Sequence, residues 1–264
     1  MTTETIHPVP LLDASKPRPD GVVRRRKPIV KVGSVVGLVT LIIAAVFALG
    51  PLLWTLTTSL RTPAASFNNP PQWFPVDWDF SNYTAVFHQL PIGQFFLNSV
   101  VVTLLIVVGQ TVTCSLSGYA FAMISFPGKN TIFGIFLATM MVPIQTIIIP
   151  VFVILKDLGL TGSIASLIIP ALGSAFGTFL MRQYFMQMPK ELGEAARIDG
   201  ASQFGVFRHI YIRMASPAVA TLAILNFSGF WAEYYRPLIF LNQQNTFTLP
   251  LGLVALQGNL GTGS

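Results

Sequence analysis

The sequence predicts an all-α integral membrane protein, a helical bundle, on three observations. Of its 264 residues, 52% are hydrophobic and only 10% are charged, against the quarter or so that a water-soluble domain carries. Five apolar stretches approach the roughly 20 residues a helix needs to cross the hydrocarbon core. They are 32–54, 95–123, 131–155, 164–185 and 215–239. The alternating segments of about ten residues that mark a membrane barrel are absent from the sequence.

Taken in order, residues 1–30 are rich in Pro, Thr and charge and lack apolar periodicity, so they read as a disordered cytoplasmic tail ahead of a membrane domain, 31–264. Arg24, Arg25, Arg26 and Lys27 precede the first span. A basic block beside a span marks the cytoplasmic side, which is a simpler account than a nucleic-acid-binding arm. The span itself holds Gly50-Pro51 and Trp54 with no small-x-small cleavage site, and reads as retained. With the N-terminus inside, thirteen of the sixteen Lys and Arg residues fall on the cytoplasmic side, leaving Arg61, Lys156 and Arg236 outside. The external segment 58–94 is aromatic and proline-rich, with Pro70, Pro71, Trp73, Phe74, Pro75, Trp78, Tyr83 and Phe87, and reads as a cap at the membrane interface.

Within the spans, ionisable residues are scarce, and each is a functional candidate by default. Glu233 stands out, with Arg236 at the i, i+3 spacing that allows a pair on one helix face. No chain of Asp, Glu and His crosses the membrane, which argues against proton coupling. Neutral polar groups are commoner: Asn98, Gln110, Thr111, Thr113, Gln145, Thr146, Asn226 and Ser228. With the rings of Phe227, Phe230 and Trp231 they suit a passage for an uncharged polar solute; hydrogen bonding between helices is the other reading of each one. The single cysteine, Cys114, lies in the second span and reads as small-residue packing. His7, His88 and His209 are scattered, so no metal cluster is expected. There is no Gly-x-x-x-x-Gly-Lys-Ser/Thr loop. The chain is therefore expected to be no enzyme and to bind no cofactor itself.

The segment 189–213 is cytoplasmic by the charge count and too patterned for a simple turn. Pro189 suits a first helical turn, Glu191 and Glu194 favour the positive helix end, and Leu192, Ala195 and Ala196 form a small apolar stripe. Gly200 permits a sharp turn. Phe204, Phe207, Ile210 and Tyr211 follow at helical spacing. A helix, a bend and a second helix are predicted, either as a rigid knob or as an amphipathic element on lipid.

Glu194-Ala195-Ala196-Arg197-Ile198-Asp199-Gly200-Ala201, with Ile210 ten residues after the glycine, resembles the EAA loop of binding-protein-dependent ABC-importer permeases. Asn82-Tyr83, Asn98-Ser99, Gly118-Tyr119-Ala120-Phe121-Ala122, Pro143-x-Gln145, Pro150 and the Pro-x-Glu-Leu lead-in at 189–192 resemble the carbohydrate-uptake branch, of the maltose and multiple-sugar type. The resemblance covers roughly 33–258. It implies that Glu194, Ala195, Ala196, Asp199, Gly200 and Ile210 couple the chain to a cytoplasmic ATPase on which the loop docks, and that a solute crosses by alternating access. It also implies a second permease subunit, two ATPase subunits carrying ATP and Mg, and an external solute-binding protein. Three positions depart from the pattern. Ile212 and Arg213 replace Leu-Pro, so a continuous helix can replace the proline kink. Ala232 replaces an amide after Trp231. The family's final span has no counterpart among the five, so a chain lacking its last transmembrane helix is expected. A secondary transporter, which would need coupling-ion sites, and a non-transporting membrane scaffold are the rival readings.

Overall fold

Inside lipid a backbone must satisfy its own hydrogen bonds, and a helix does so within one segment. The computed structural model describes residues 32–62, 74 and 77–261, and every regular element among them is helical. The expected tail 1–30 and the cap residues Pro70, Pro71, Trp73 and Pro75 lie outside the described residues.

Helix α1 (Val32–Ser59) is apolar on all sides and carries Pro51 in its interior. Thr40 and Thr55 turn their hydroxyls back onto the carbonyls of Val36 and Pro51, each at 2.9 Å, so neither presents a free donor. The Arg61 guanidinium sits 4.8 Å over the Trp54 ring.

The second unit, 80–264, is built around one long helix. After the short α2 (Ser81–Gln89), α3 (Ile92–Met123) runs 32 residues, about 48 Å at 1.5 Å per residue. Its C-terminus is closed by Lys129, whose ammonium donates to the carbonyls of Ala122 and Ile124 at 3.2 and 2.9 Å. The next apolar run, expected as a span over 131–155, is not one continuous helix. Pro143 cannot continue the preceding helix, and α4 (Lys129–Ala138), extended by a 3₁₀ turn to Met141, meets α5 (Ile144–Asp157) at 104°.

The fourth run is also interrupted. Helix α6 (Ala165–Ile168) passes into a 3₁₀ turn (Ile169–Ala171), and α7 (Ala175–Phe185) restarts with the Ser174 hydroxyl accepting from Gly177 N at 3.1 Å. The carbonyls freed at this break meet side chains of α3. Gln110 Nε2 donates to Ala171 O at 2.6 Å and the Thr113 hydroxyl to Leu172 O, while Cys114 Sγ lies 3.5 Å from Ser174 O, which also accepts from Thr178 N at 3.0 Å. Residues 110, 113 and 114 share a face of α3 by helical spacing, so one stripe meets the carbonyls of Ala171 and Leu172 at the interruption.

Close approach of α3 and α7 depends on glycine. A Cβ at Gly118 would stand 2.6 Å from Met181 Cβ and 2.8 Å from Arg182 N, and one at Gly177 would stand 2.7 Å from Cys114 Sγ. Cys114 is buried in this contact, as a small packing residue should be.

After α8 (Glu191–Ile198) and α9 (Gln203–Met214, with a π turn at Phe207–Tyr211), the chain bends 77° into α10 (Ser216–Trp231). The absence of proline at Arg213 does not give a continuous helix. Ala215 breaks it instead, and Pro217 opens α10 from its first turn, where a missing N–H costs nothing. The fifth apolar run therefore ends at Trp231 as a helix, and a short α11 (Tyr235–Phe240) follows. Beyond it, Leu249–Gly261 forms α12, an element the five expected spans did not include. A Cβ at Gly252 would collide with the buried Phe95 ring, and Leu249 N donates to Ser99 Oγ at 2.7 Å, so α12 starts tight against the beginning of α3.

Candidate coupling element and translocation path

Two acidic residues, Glu191 and Glu194, stand in the first turn of α8, and Arg197 stands in the last. Each is favourable to the helix dipole at its own end. The helix stops in a Schellman arrangement: Gly200 adopts φ +88, its N–H reaches Arg197 O at 3.1 Å, and Ala201 N reaches Ala196 O at 2.9 Å. A left-handed residue at this position is what closes such a turn, and glycine takes it without penalty. The Ser202 hydroxyl then accepts from Gly205 N at 3.1 Å and starts α9. Local sequence alone accounts for this helix-turn-helix.

Most of the residues singled out here lie open. Glu194, Ala195, Asp199 and Gly200 are exposed, Ala196 is half-buried, and the neighbouring Ile198 is 87% exposed. Ile210 is different. It is half-buried against the cluster formed by Tyr119, Met181, Phe185, Phe207 and Tyr211, so it packs inward instead of joining the open face.

Sequence reasoning missed what anchors the element. Tyr211 is 2% exposed, its hydroxyl donates to Pro189 O at 3.1 Å, and a Cβ at Gly193 would stand 2.8 Å from the Tyr211 hydroxyl oxygen. Tyr211 in turn lies 5.5 Å from the Tyr119 ring, which lies 5.1 Å from Phe207 and 5.8 Å from Phe185. Four rings thus join α8 and α9 to the C-terminal parts of α3 and α7. The available signal was Gly193 in the helix interior, where glycine is disfavoured unless something approaches closely.

The polar candidates within the spans separate into two sets. Asn98 is engaged at both ends of its amide: Nδ2 donates to Asn245 O and Phe247 O at 2.8 and 3.0 Å, and Oδ1 accepts from Gln94 at 2.9 Å. Gln110 is engaged at the α6–α7 break. Glu233 forms a two-pronged ion pair with the buried Arg236 at 2.5 Å. Arg236 also donates to Leu167 O at 3.3 Å and lies 5.0 Å over the Phe230 ring. Trp231 stacks on Phe227 at 5.6 Å and meets the edge of Phe96 at 5.8 Å. Two amides are left with hydrogen-bonding capacity. Gln145 is exposed one residue into α5, beside the 104° corner, and Asn226 is buried with its Nδ2 lacking a partner among the described residues. Buried Ser115 Oγ likewise lacks one. Among the described residues no three His, Cys, Asp or Glu side chains gather into a metal site.

Comparison with known proteins places these features in a family. A family model described as the binding-protein-dependent transport system inner membrane component matches residues 114–263. The arabinooligosaccharides transport system permease protein AraQ of Halalkalibacterium halodurans is 32% identical over 236 residues, 88% of this chain and 84% of that protein. The sn-glycerol-3-phosphate transport system permease protein UgpE of Brucella abortus is 31% identical over 229 residues, 84% of this chain and 81% of that protein. In the crystal structure of a bacterial ABC transporter involved in the import of the acidic polysaccharide alginate, one chain superposes with a TM-score of 0.76. That match has 28% sequence identity and covers 90% of this chain and 83% of that one. The open helix-turn-helix, the broken spans and these matches together make the chain a member of the binding-protein-dependent transport system inner membrane components, a membrane-spanning permease subunit of an ABC importer.

Proposed function

We propose that α8 and its Gly200 turn are the cytoplasmic knob on which an ATPase subunit acts, and that this chain passes an uncharged glycan across the prokaryotic cytoplasmic membrane. One observation carries the first half of that reading. The open surface of Glu194, Ala195 and Asp199 is tied through Gly193 and Tyr211 to the rings of Tyr119, Phe207 and Phe185, so a push on α8 is felt by α3 and α7. Coupling of this type needs a packed, contiguous element, and the ring cluster supplies one. Ile210 contributes to the coupling as part of that packing.

The complete importer then holds a second permease subunit, two ATPase subunits that bind ATP and Mg, and an external solute-binding protein, with membrane lipid around the spans. The N-terminus is placed in the cytoplasm, which puts thirteen of the sixteen basic residues on that side and is supported by the positive-inside bias. Nucleotide closure of the ATPase pair drives the bundle between inward and outward openings.

For the cargo, the relatives' names cover an oligosaccharide, a polyol phosphate and an acidic polysaccharide. The path favours the neutral member of that group. Arg236 is already neutralised by Glu233, while Gln145 and Asn226 keep amide capacity that suits hydroxyl groups. Of the other candidates, Phe230 and Trp231 offer ring faces, and Asn98, Gln110 and Glu233 hold the walls.

The test is reconstitution with the partner permease, the ATPase and the binding protein in proteoliposomes, comparing the native chain with Gly200→Val. The native assembly is expected to show binding-protein-stimulated ATP hydrolysis and uptake of a neutral oligosaccharide. A β-branched residue at positive φ is strained, so Gly200→Val should lose stimulation by about tenfold or more while the membrane subunits still pair. Equal stimulation in both would move the docking surface elsewhere on the chain.

A further inference from the structure

The cleft between α7 and α10 holds a second pair of amides that the path described so far does not include. Phe176, Phe179, Gln183 and Gln187 recur every three or four residues and so share one face of the chain. With Pro217 and Thr221 of α10 they line an open cleft of about 380 Å³, within the roughly 300–1,000 Å³ of small-molecule sites. No Asp, Glu, Lys, Arg or His lines it.

Gln183 and Gln187 are exposed on the isolated chain, and their amides make no hydrogen bond among the described residues. An unpaired amide facing hydrocarbon costs several kcal/mol on the cyclohexane scale, so Gln183, still within α7, is poorly placed to face lipid tails. Two amides at i, i+4 beside two phenyl faces supply instead the donors, acceptors and apolar platforms that a pyranose ring presents surfaces for. The walls are also mechanically placed. Helix α7 leads into α8, and α10 leaves the 77° bend after α9, so the two helices that bound the cleft are the two that flank the proposed knob.

We propose that this cleft is the inward-half subsite for the transported glycan, with Gln183 and Gln187 holding hydroxyl groups and Phe176 and Phe179 supporting a ring face. The assignment rests on the glycan-importer reading above, and the experiment separates the two.

In proteoliposomes containing the whole importer, uptake of a radiolabelled neutral trisaccharide and binding-protein-stimulated ATP hydrolysis are measured together for the native chain, Gln183→Leu, Gln187→Leu and the double variant. The double variant is expected to lose about tenfold or more in uptake while stimulated hydrolysis stays within about twofold. In parallel, Gln183→Cys in inside-out vesicles should react with a polar thiol reagent, and excess trisaccharide should slow that labelling; Cys114 is buried and gives little background. Unchanged uptake in the double variant, or labelling indifferent to trisaccharide, overturns the subsite. Loss of subunit assembly in the double variant also overturns it, because the cleft is then a packing surface for the second permease. A native importer that moves no trisaccharide sinks the glycan reading itself, and the subsite with it.

Discussion

Around the C-terminal part of α3 the grip is aromatic, with Tyr119, Phe185, Phe207 and Tyr211 at centroid separations of 5.1 to 6.4 Å. Around its N-terminal part ring contacts such as Phe95–Phe247 and Phe96–Trp231 are joined by a set of directional polar bonds. Asn98 holds two carbonyls, Ser99 caps α12, and Glu233 pairs with Arg236. Ring packing is short-ranged but weakly directional, and it tolerates small rotations. Hydrogen bonds weaken steeply with angle. The end carrying α8 is therefore joined mainly through rings, and the opposite end carries more bonds of fixed direction. If α8 is the docking knob proposed above, this difference in chemistry is where a pivot would be sought.

Four substitutions break or sharpen this contrast, read by thermal unfolding of the assembled importer in detergent and by stimulated ATP hydrolysis. The largest effect is expected from Arg236→Leu, which leaves Glu233 partly buried without its counter-charge. Breaking such a pair costs about 3–5 kcal/mol, and unfolding should fall by many degrees whatever happens to coupling. Gly118→Val comes next, because its Cβ meets backbone and not a yielding side-chain tip. An overpacked crossing costs about 1–3 kcal/mol, and both readouts should drop together. Asn98→Leu leaves the carbonyls of Asn245 and Phe247 without their donor, at about 1–3 kcal/mol. Its melting point should drop while the surviving complexes keep their stimulation. Smallest in stability is Tyr211→Phe, where one hydrogen bond to Pro189 is lost for about 1 kcal/mol. Here stimulation should fall by more than the stability loss explains, and a normal ratio of stimulated to basal hydrolysis would remove Tyr211 from the coupling route.

Local chemistry was legible in the sequence where a residue acts on its own neighbours. The Gly200 turn, the acidic first turn of α8 and the Glu233–Arg236 pair all follow from spacings of a few residues. What needed the structure is long-range repair. Gln110, Thr113 and Cys114 read as polar or small positions in a span, and only the fold reveals the freed carbonyls at 171 and 172 that the first two meet. The corner at Pro143 was readable in principle, since proline ends helices, but a long apolar run on both sides concealed it. Leu249–Gly261 is helical although its apolar run is short, and its N-terminal N–H is met by Ser99, 150 residues earlier. Gln183 and Gln187 drew no notice because glutamine near a helix end is unremarked until a cleft is seen beside it.

The turn at Gly200 has a consequence for chirality. A Cβ built there meets nothing within 4 Å, while φ is +88. The position is thus roomy in space and restrictive in handedness, for an L side chain strains in the left-handed region whatever room it is given. A D-alanine introduced at 200 by chemical ligation should fold as the glycine does and reduce the freedom of the unfolded chain, whereas L-alanine restricts the unfolded chain equally but is strained in the folded one.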